Sequence, residues 1–232
     1  CIHQFKNFRN SSINFYSDIS KISKTLRGKV IYCDHHLSHT LTSLFYCQNK
    51  EYCSIVIDGF GDHSTSTIHL VQDINNISRV WRCPYPASLG LYYSSITDFL
   101  GFAVNEGEFK VMGLAAFGEP RYANKFRSLL TFEDGQVKMD MDYFSYHVSL
   151  QDSYSINMSE YLNHKPRNPL VRLDISSSNF QTYADIAAAA QLVLVEVITK
   201  IFKHAYSLTS CKDFLFSGGV AMNSASIRSI LK

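Results

Sequence analysis

The order of apolar and polar positions predicts a strand, a helix and then a group of strands. Residues 30–33 form a short apolar run, and the leucines that follow Asp34 are spaced three and four residues apart, which indicates a helix. A second apolar run, residues 53–58, predicts a buried strand that ends in a carboxylate. Residues 64–71 and 79–83 predict two further strands, the first of them joined to residues 53–58 as a hairpin.

Helical patterns dominate the second part of the chain. A helix is predicted over residues 89–100 with Ser88 as its N-cap, and another over residues 122–130. Residues 183–196 have high helix propensity and almost no polar face, so this helix is expected to be buried. Residues 213–217 then predict a strand that leads through a Gly-Gly turn into a new helix. Strands and helices that alternate in this way predict an α/β fold.

Composition and charge exclude several classes of protein. The 232 residues are 46% hydrophobic and 18% charged, which is typical of a globular protein with a substantial core. The net charge of +2 comes from scattered basic residues, so we expect no nucleic-acid partner. The six cysteines have neither disulfide-framework nor zinc-knuckle spacing, and no apolar run approaches the roughly 20 residues of a membrane span. Without a signal-peptide pattern, a cytoplasmic location with no membrane contact is expected.

Two histidines on the first predicted helix have the spacing of metal ligands. His35 and His39 are four residues apart, so on a helix they project from one face and can bind one cation. Asp58, where the predicted strand meets a loop, is a natural third ligand. Histidine pairs at this spacing also occur without a metal, so the residues alone leave both interpretations open.

Two glycine-containing turns could accept an anion. Gly59 and Gly61 follow Asp58, and their freedom from a side chain allows the backbone to approach a ligand closely. Gly218 and Gly219 follow the last predicted strand, where backbone amides and a helix start favour a phosphate. The ordinary alternatives are a hairpin turn at the first site and a plain strand-to-helix turn at the second.

Two charged residues lie among small and apolar residues in the segment 105–118. Buried charges need partners, so Glu108 and Lys110 are expected either to pair with each other or to face a ligand. Lys110 could contact a phosphate, and it could equally be a solvated surface lysine.

Six motifs occur in an order that is typical of one family. The motifs are HHLSH at 35–39, DGFGD at 58–62, SLGLYYSSIT at 88–97, GEFKVMGLAAFG at 107–118, DIAAAAQ at 185–191 and FSGGVAMN at 216–223. With them the chain resembles the large O-carbamoyltransferases, the family of nodulation protein U and of the antibiotic carbamoyltransferases. The resemblance is to their N-terminal, threonylcarbamoyltransferase-like domain.

The resemblance implies an actin-like ATPase fold, in which ribonuclease H-like lobes enclose a nucleotide. By position, His35, His39 and Asp58 would bind a divalent metal, Fe²⁺ or alternatively Zn²⁺. Lys110 would be a candidate catalytic residue. The residues that would line the nucleotide are Gly59, Gly61, Gly218, Gly219 and Asn223.

The resemblance also implies that the chain is part of a longer enzyme. Residues 1–83 would form a segment of the first lobe, and residues 84–232 the second lobe with its insertions. The chain begins at Cys1 without a methionine and stops at Lys232 within a helical pattern, which indicates a central fragment. We expect the fragment alone to be inactive, because the domain that forms carbamoyladenylate and a late aspartate ligand of the family are absent.

The function implied is transfer of a carbamoyl group to a hydroxyl. In the intact enzyme, carbamoyl phosphate and ATP would give carbamoyladenylate, and this domain would pass the carbamoyl group to a sugar-like or antibiotic small-molecule acceptor. One alternative is a tRNA threonylcarbamoyladenosine-type transferase, which SLGLYYSSIT and KVMGLA disfavour. Another is a non-catalytic nucleotide-binding remnant of a truncated gene.

Overall fold

The chain divides into two compact units. The units are residues 1–34 and 35–232. The strand predicted over residues 30–33 falls outside the described residues except for Cys33, which is not in a strand. The computed structural model describes Lys21 and residues 33–45, 47, 51–149 and 151–230.

Helices and strands alternate along the described part of the chain. In chain order they are α1 (His35–Ser43), β1 (Tyr52–Gly61), β2 (Ser64–Asp73), β3 (Asn76–Pro84), α2 (Leu89–Phe99), α3 (Glu108–Ala115), α4 (Ala123–Leu129), β4 (Leu130–Glu133), β5 (Gln136–Met139), α5 (Ile156–Leu162), α6 (Phe180–Thr209), β6 (Phe214–Ser217) and α7 (Ser224–Ile230). Short 3₁₀ turns lie at Met141–Tyr143 and Gly219–Met222.

Four strands form one mixed sheet in the order β3-β2-β1-β6. The first three are antiparallel neighbours, which confirms the hairpin predicted for residues 53–58 and 64–71, whereas β6 runs parallel to β1. Parallel neighbours need a long crossover, and the helices between β3 and β6 provide it. β4 and β5 form a separate hairpin. The architecture is therefore α/β, as predicted.

The two faces of the β1–β2 hairpin have different characters. Successive residues of a strand point to opposite faces, and Ile55, Ile57 and Ile68 are all 0% exposed in the apolar core shared with α2 and α6. The opposite face carries Ser54 and Thr67, whose hydroxyls bond to side chains of α1. The hairpin thus lies between the apolar core and α1.

Helix α2 begins at the predicted cap. The Ser88 hydroxyl accepts a hydrogen bond from the Leu91 N–H at 3.0 Å and donates one to the Gly59 carbonyl at 2.6 Å. Leu89, Tyr92 and Ile96 are each 0% exposed, so the face predicted to be buried is buried. The cap therefore starts the helix and also ties it to the end of β1.

Helix α6 is longer than its pattern predicted. It extends to 30 residues, because no glycine or proline interrupts it until Ser210 ends it in a left-handed conformation. The buried run includes Asp185, which is 3% exposed. Its carboxylate accepts hydrogen bonds from the Glu119 N–H at 2.8 Å and the Gln181 amide at 2.7 Å, and these bonds offset the cost of its burial.

The DGFGD motif is a bulged strand end and not a glycine loop. β1 was predicted to end at Asp58 but continues to Gly61, and its pairing with β2 is irregular between Ile57 and Gly61. The turn itself consists of residues 62–63, where Asp62 has φ 53°. A bulge leaves residues out of regular pairing, and this frees Asp58 from the ladder.

The buried face of α1 also differs from expectation. The leucine stripe after Asp34 predicted an apolar packing face, but these leucines are half-buried and Phe45 is 83% exposed. The fully buried side chains of α1 are His36 and Thr40, because the hairpin surface that they meet is polar.

The remaining predicted elements are present with small shifts in their bounds. The helix predicted over residues 122–130 is α4, and the Gly-Gly segment enters a 3₁₀ turn before α7 begins at Ser224. Among the described residues, the structure contains no helix with the length and apolar character that crossing a bilayer requires.

Candidate metal centre

The structure brings the three predicted ligands together. His35 Nε2 lies 3.0 Å from Asp58 Oδ2, and His39 Nε2 lies 3.3 Å from the same oxygen. All three donor atoms lie within 4.8 Å of one another. The helical spacing of the two histidines and the bulged end of β1 together produce this cluster.

Gly61 and Asp62 determine where the His35 side chain lies. A Cβ atom at Gly61 would be 2.2 Å from His35 Cδ2, so the imidazole occupies the space that a side chain would fill. The Asp62 carboxylate accepts a hydrogen bond from the His35 N–H at 2.8 Å, which satisfies one of the free amides at the start of α1. The DGFGD motif thus provides the candidate ligand Asp58, the space beside Gly61 that the imidazole fills, and the Asp62 carboxylate that caps α1.

The electrostatics favour an ionised carboxylate at the centre. Burial raises the pKa of Asp58, but hydrogen bonds from His35 and from the Gly59 N–H, with attraction to both imidazoles, outweigh burial and hold that pKa below its ordinary value of 3.8. Asp58 is therefore ionised at neutral pH, which is the form that binds a cation.

The donor set fits a divalent transition metal. First-row metals bind imidazole nitrogen and carboxylate oxygen at about 2.0–2.2 Å, so two ligands of one ion lie no more than about 4.4 Å apart. The two separations from Asp58 Oδ2, 3.0 and 3.3 Å, satisfy this limit, and the two imidazole nitrogens lie within 4.8 Å of each other, so a small side-chain rotation is enough to meet it. The His35 and His39 side chains are 42% and 34% exposed, which leaves a path for entry. Two imidazoles and a carboxylate suit iron or zinc.

A cavity of about 390 Å³ adjoins the cluster, and Asp58 is part of its wall. Of the residues that the family resemblance assigned to a nucleotide, Gly59, Gly219 and Asn223 line this cavity. Gly61 lies instead against His35, and Gly218 lies against the carbonyl of Ile57 with φ 89°. Gly218 therefore allows the close approach of β6 to β1 and is not part of the lining.

A hydrogen-bonded amide pair holds one side of the cavity. The Gln191 amide exchanges two hydrogen bonds of 3.0 Å with the Asn223 amide, and the Tyr93 hydroxyl donates to Gln191 Oε1 at 2.7 Å. Asn223 also caps α7 by accepting from the Ser226 N–H at 3.0 Å. This network joins α2, α6 and α7 around the cavity, and it explains why DIAAAAQ and FSGGVAMN lie close together.

Glu108 lines the cavity, whereas Lys110 does not. Glu108 Oε1 accepts from the Ser94 hydroxyl at 2.9 Å and from the Asn105 N–H at 3.0 Å, so it is held from two sides. Lys110 is exposed, and its Nζ lies 5.7 Å from the ring centroid of Phe109. Glu108 and Lys110 therefore do not form the ion pair that was one of the two alternatives left open by the sequence. The catalytic role of Lys110 stays a prediction.

One group of residues near the cluster has no counterpart in the sequence predictions. His36 and Thr40, each one position after a candidate ligand, are buried against Thr67 and His69 of β2. The available signal was the second histidine of HHLSH together with the four consecutive hydroxyl residues at the start of β2. Taken alone, either pattern indicates a solvated surface.

An α/β fold with this cluster at the edge of a cavity defines a candidate metal- and ligand-binding domain. The chain matches the family model described as carbamoyltransferase N-terminus over residues 4–232. It therefore belongs to this family, which confirms the resemblance drawn from the six motifs.

Curated relatives cover most of the chain. An uncharacterized protein of Synechocystis sp., sll1178, is 31% identical over 198 residues, which are 84% of this chain and 31% of the relative. The uncharacterized protein MJ1051 of Methanocaldococcus jannaschii is 26% identical over 88% of this chain and 37% of its own length. Nodulation protein NolNO of Sinorhizobium fredii is 24% identical over 84% of this chain and 26% of its own length. The chain thus spans about a third of the length of these relatives.

Proposed function

We propose that this chain is the metal- and nucleotide-binding part of an O-carbamoyltransferase. The reaction is transfer of a carbamoyl group from carbamoyladenylate to a hydroxyl of a sugar-like or antibiotic acceptor. The observation that carries the proposal is that Asp58 belongs both to the His35–His39 cluster and to the wall of the adjoining cavity, in a chain of the carbamoyltransferase N-terminus family.

His35, His39 and Asp58 would hold the metal, Fe²⁺ or alternatively Zn²⁺. A metal held by these three residues would supply Lewis acidity, which stabilises negative charge that develops on the transferred group. The surrounding residues keep Asp58 ionised, and both imidazoles are directed to Asp58 Oδ2.

The cavity offers exposed backbone for a phosphate and apolar surface for a base. Gly59 and Gly219 expose their backbone close to Asp58. In the part of the chain that the structure describes, the lining includes the carboxylates of Asp58, Glu106 and Glu108 and no lysine or arginine, so a phosphate there would depend on the positive charge of a metal bound at the cluster. Phe109 and Met222 also line the cavity and are 64% and 82% exposed, so they offer apolar surface for a planar base. This arrangement supports ATP or carbamoyladenylate as the ligand.

The actin-like ATPase fold is part of the same proposal. Three antiparallel strands followed by a crossover to a strand parallel to the first are compatible with a ribonuclease H-like lobe. The division into lobe segments 1–83 and 84–232 remains a proposal, as do the acceptor and the absence of a nucleic-acid partner.

Metal and nucleotide binding can be tested with histidine variants of the purified chain. We expect the wild type to retain Fe²⁺ or Zn²⁺ after dialysis and His35→Ala and His39→Ala to lose most of it, because each removes one of three ligands. Metal-loaded wild type should bind a non-hydrolysable ATP analogue in calorimetric titration, and His39→Ala should bind it more weakly. Elemental analysis measures the metal.

His63→Ala is the matched control, since His63 is an exposed histidine of the adjoining turn. It should retain both metal and analogue. Equal metal content in all four proteins would contradict the site, and failure of the loaded wild type to bind the analogue would contradict the nucleotide assignment.

A further inference from the structure

The face of α1 that packs on the β1–β2 hairpin is polar and almost completely buried. His36 and Thr40 are 1% and 0% exposed, and the facing Ser54, Thr67 and His69 are 0%, 0% and 4% exposed. Helices ordinarily pack on sheets through apolar side chains, and buried polar groups are retained only where hydrogen bonds satisfy them. Here the hydrogen bonds are present.

The hydrogen bonds of His36 determine its tautomer. Nε2 lies 3.0 Å from the Ser64 carbonyl oxygen, which can only accept, so Nε2 carries the proton. Nδ1 is then an acceptor, and it receives the Thr67 hydroxyl proton at 3.1 Å. Both nitrogens are thereby bound to β2, which fixes the ring in one plane.

Thr40 completes the connection one helical turn later. Its hydroxyl donates its one proton to the His36 carbonyl at 3.1 Å, so it acts as an acceptor toward its other hydrogen-bond partners. It accepts from the Ser54 hydroxyl and from His69 Nδ1, each at 3.1 Å. The Thr40 hydroxyl thus connects α1 to β1 and to β2.

Each of these helix residues directly follows a candidate ligand, His36 after His35 and Thr40 after His39. The His36 ring also contacts the His35 ring edge-on, with centroids 5.5 Å apart. Side-chain atoms lie about 5–6 Å from a helix axis, so a rotation of α1 by about 10° would move a ligand atom by about 1 Å. Metal–ligand distances tolerate only about 0.2 Å, so the rotation of α1 has to be fixed.

We propose that His36, Thr40, Ser54, Thr67 and His69 form a positioning network that sets the rotation of α1 and so presents His35 and His39 to Asp58. This inference rests on the metal site of the proposed function. Directional hydrogen bonds fix a rotation more closely than apolar packing, which tolerates small slips, and this is the physical reason for a polar interface here.

The test compares two buried threonines in the purified chain. Thr67→Val removes the hydroxyl that donates a hydrogen bond to His36 Nδ1 and keeps the size of the side chain. Thr67→Ser retains the hydroxyl. Thr97→Val is the matched control, because Thr97 is also 0% exposed but bonds to the Tyr93 carbonyl within α2. Co²⁺ affinity and the Co²⁺ d–d absorption spectrum are measured beside urea unfolding.

We expect Thr67→Val to bind Co²⁺ about 10–100-fold more weakly than wild type and to show a changed d–d spectrum. Thr67→Ser should restore most of the affinity. Thr97→Val should lose stability and keep the wild-type affinity and spectrum. Ser54→Ala, a milder change that removes only one donor to Thr40, should weaken binding in the same direction and keeps the test valid if Thr67→Val does not fold.

The outcomes separate this inference from the proposed function. Wild-type affinity and spectrum in Thr67→Val, or in Ser54→Ala where Thr67→Val does not fold, would overturn the positioning role while leaving the metal site in place. An equal loss in Thr97→Val would also overturn it, since the effect would then be one of general stability. Absence of Co²⁺ binding by the wild type, or unchanged binding by His39→Ala, would overturn both.

Discussion

Gly61 decides whether the His35 imidazole can reach Asp58. The space beside Gly61 is filled by the imidazole, which would lie 2.2 Å from an added Cβ atom. The neighbouring Gly59 is different, because a Cβ there would meet Leu91 at an ordinary 3.6 Å. Two glycines of one motif thus have distinct roles at the scale of single residues.

We expect Gly61→Ala to lower metal affinity by about tenfold or more with little loss of stability. The added methyl has to displace the His35 ring, which is 42% exposed and can rotate outward without disturbing the core. Metal titration and urea unfolding of the variant measure the two effects. Gly59→Ala is the control and should keep the affinity; a Gly61→Ala protein that binds metal like the wild type would contradict this account of the site.

At the scale of elements, two helices contain a glycine for different reasons. Gly90 in α2 lies against the end of β1, where an added Cβ would be 2.6 Å from the Gly59 nitrogen and cannot be accommodated by a side-chain movement. Gly113 in α3 has no atom within 4 Å of the corresponding position. Only the first glycine is required by packing, and it sets the distance between α2 and the candidate centre.

Alanine substitutions at Gly113 and Gly90 should change the free energy of unfolding in opposite directions. Gly113→Ala is expected to stabilise the chain by about 0.5–1 kcal/mol, because alanine has the better helix propensity and meets nothing. Gly90→Ala is expected to destabilise it by about 1–3 kcal/mol through overpacking against backbone. Urea unfolding of both variants measures the difference, and changes of the same sign would show that the packing of α2 on β1 is not as described.

At the scale of the whole molecule, an ion pair joins α4 to the long helix α6. The Arg127 guanidinium donates to both carboxylate oxygens of Glu196, at 2.9 and 2.7 Å. The hydrogen bond from Arg127 holds the pKa of Glu196 below its ordinary value of 4.5, although partial burial opposes this. Both side chains are more than a third exposed, so solvent screening keeps the contribution small.

Stability should therefore depend on pH through Glu196. A group with a lowered folded pKa contributes stability above its ordinary value, here 4.5, and loses it as the pH falls through the lowered value. We expect Glu196→Gln to reduce the urea midpoint slightly at pH 7 and to match the wild type once the pH is below the folded pKa. Glu133→Gln, at a more exposed pair, should change less. A Glu196 difference that persists unchanged into acid would rule out the ion pair as its cause.

Local sequence determined much of the scaffold and part of the site. The apolar run of β1, the alternation in β2, the cap at Ser88 and the four-residue spacing of His35 and His39 depend on neighbouring residues, and the structure contains the predicted strands, the cap and the two histidines on one helix. Asp58 is indicated as a ligand because it follows a buried apolar run in the sequence, although the strand continues past it to Gly61.

Tertiary structure decided which residues those elements present to one another. The buried face of α1 is formed by His36 and Thr40 and not by the leucines, because the facing hairpin surface is polar. That surface is formed by residues distant in sequence from α1. Lys110 projects toward solvent while Glu108 lines the cavity, because α3 is anchored by Ser94 of another helix. Periodicity describes one element at a time, whereas burial and hydrogen bonding depend on its partner.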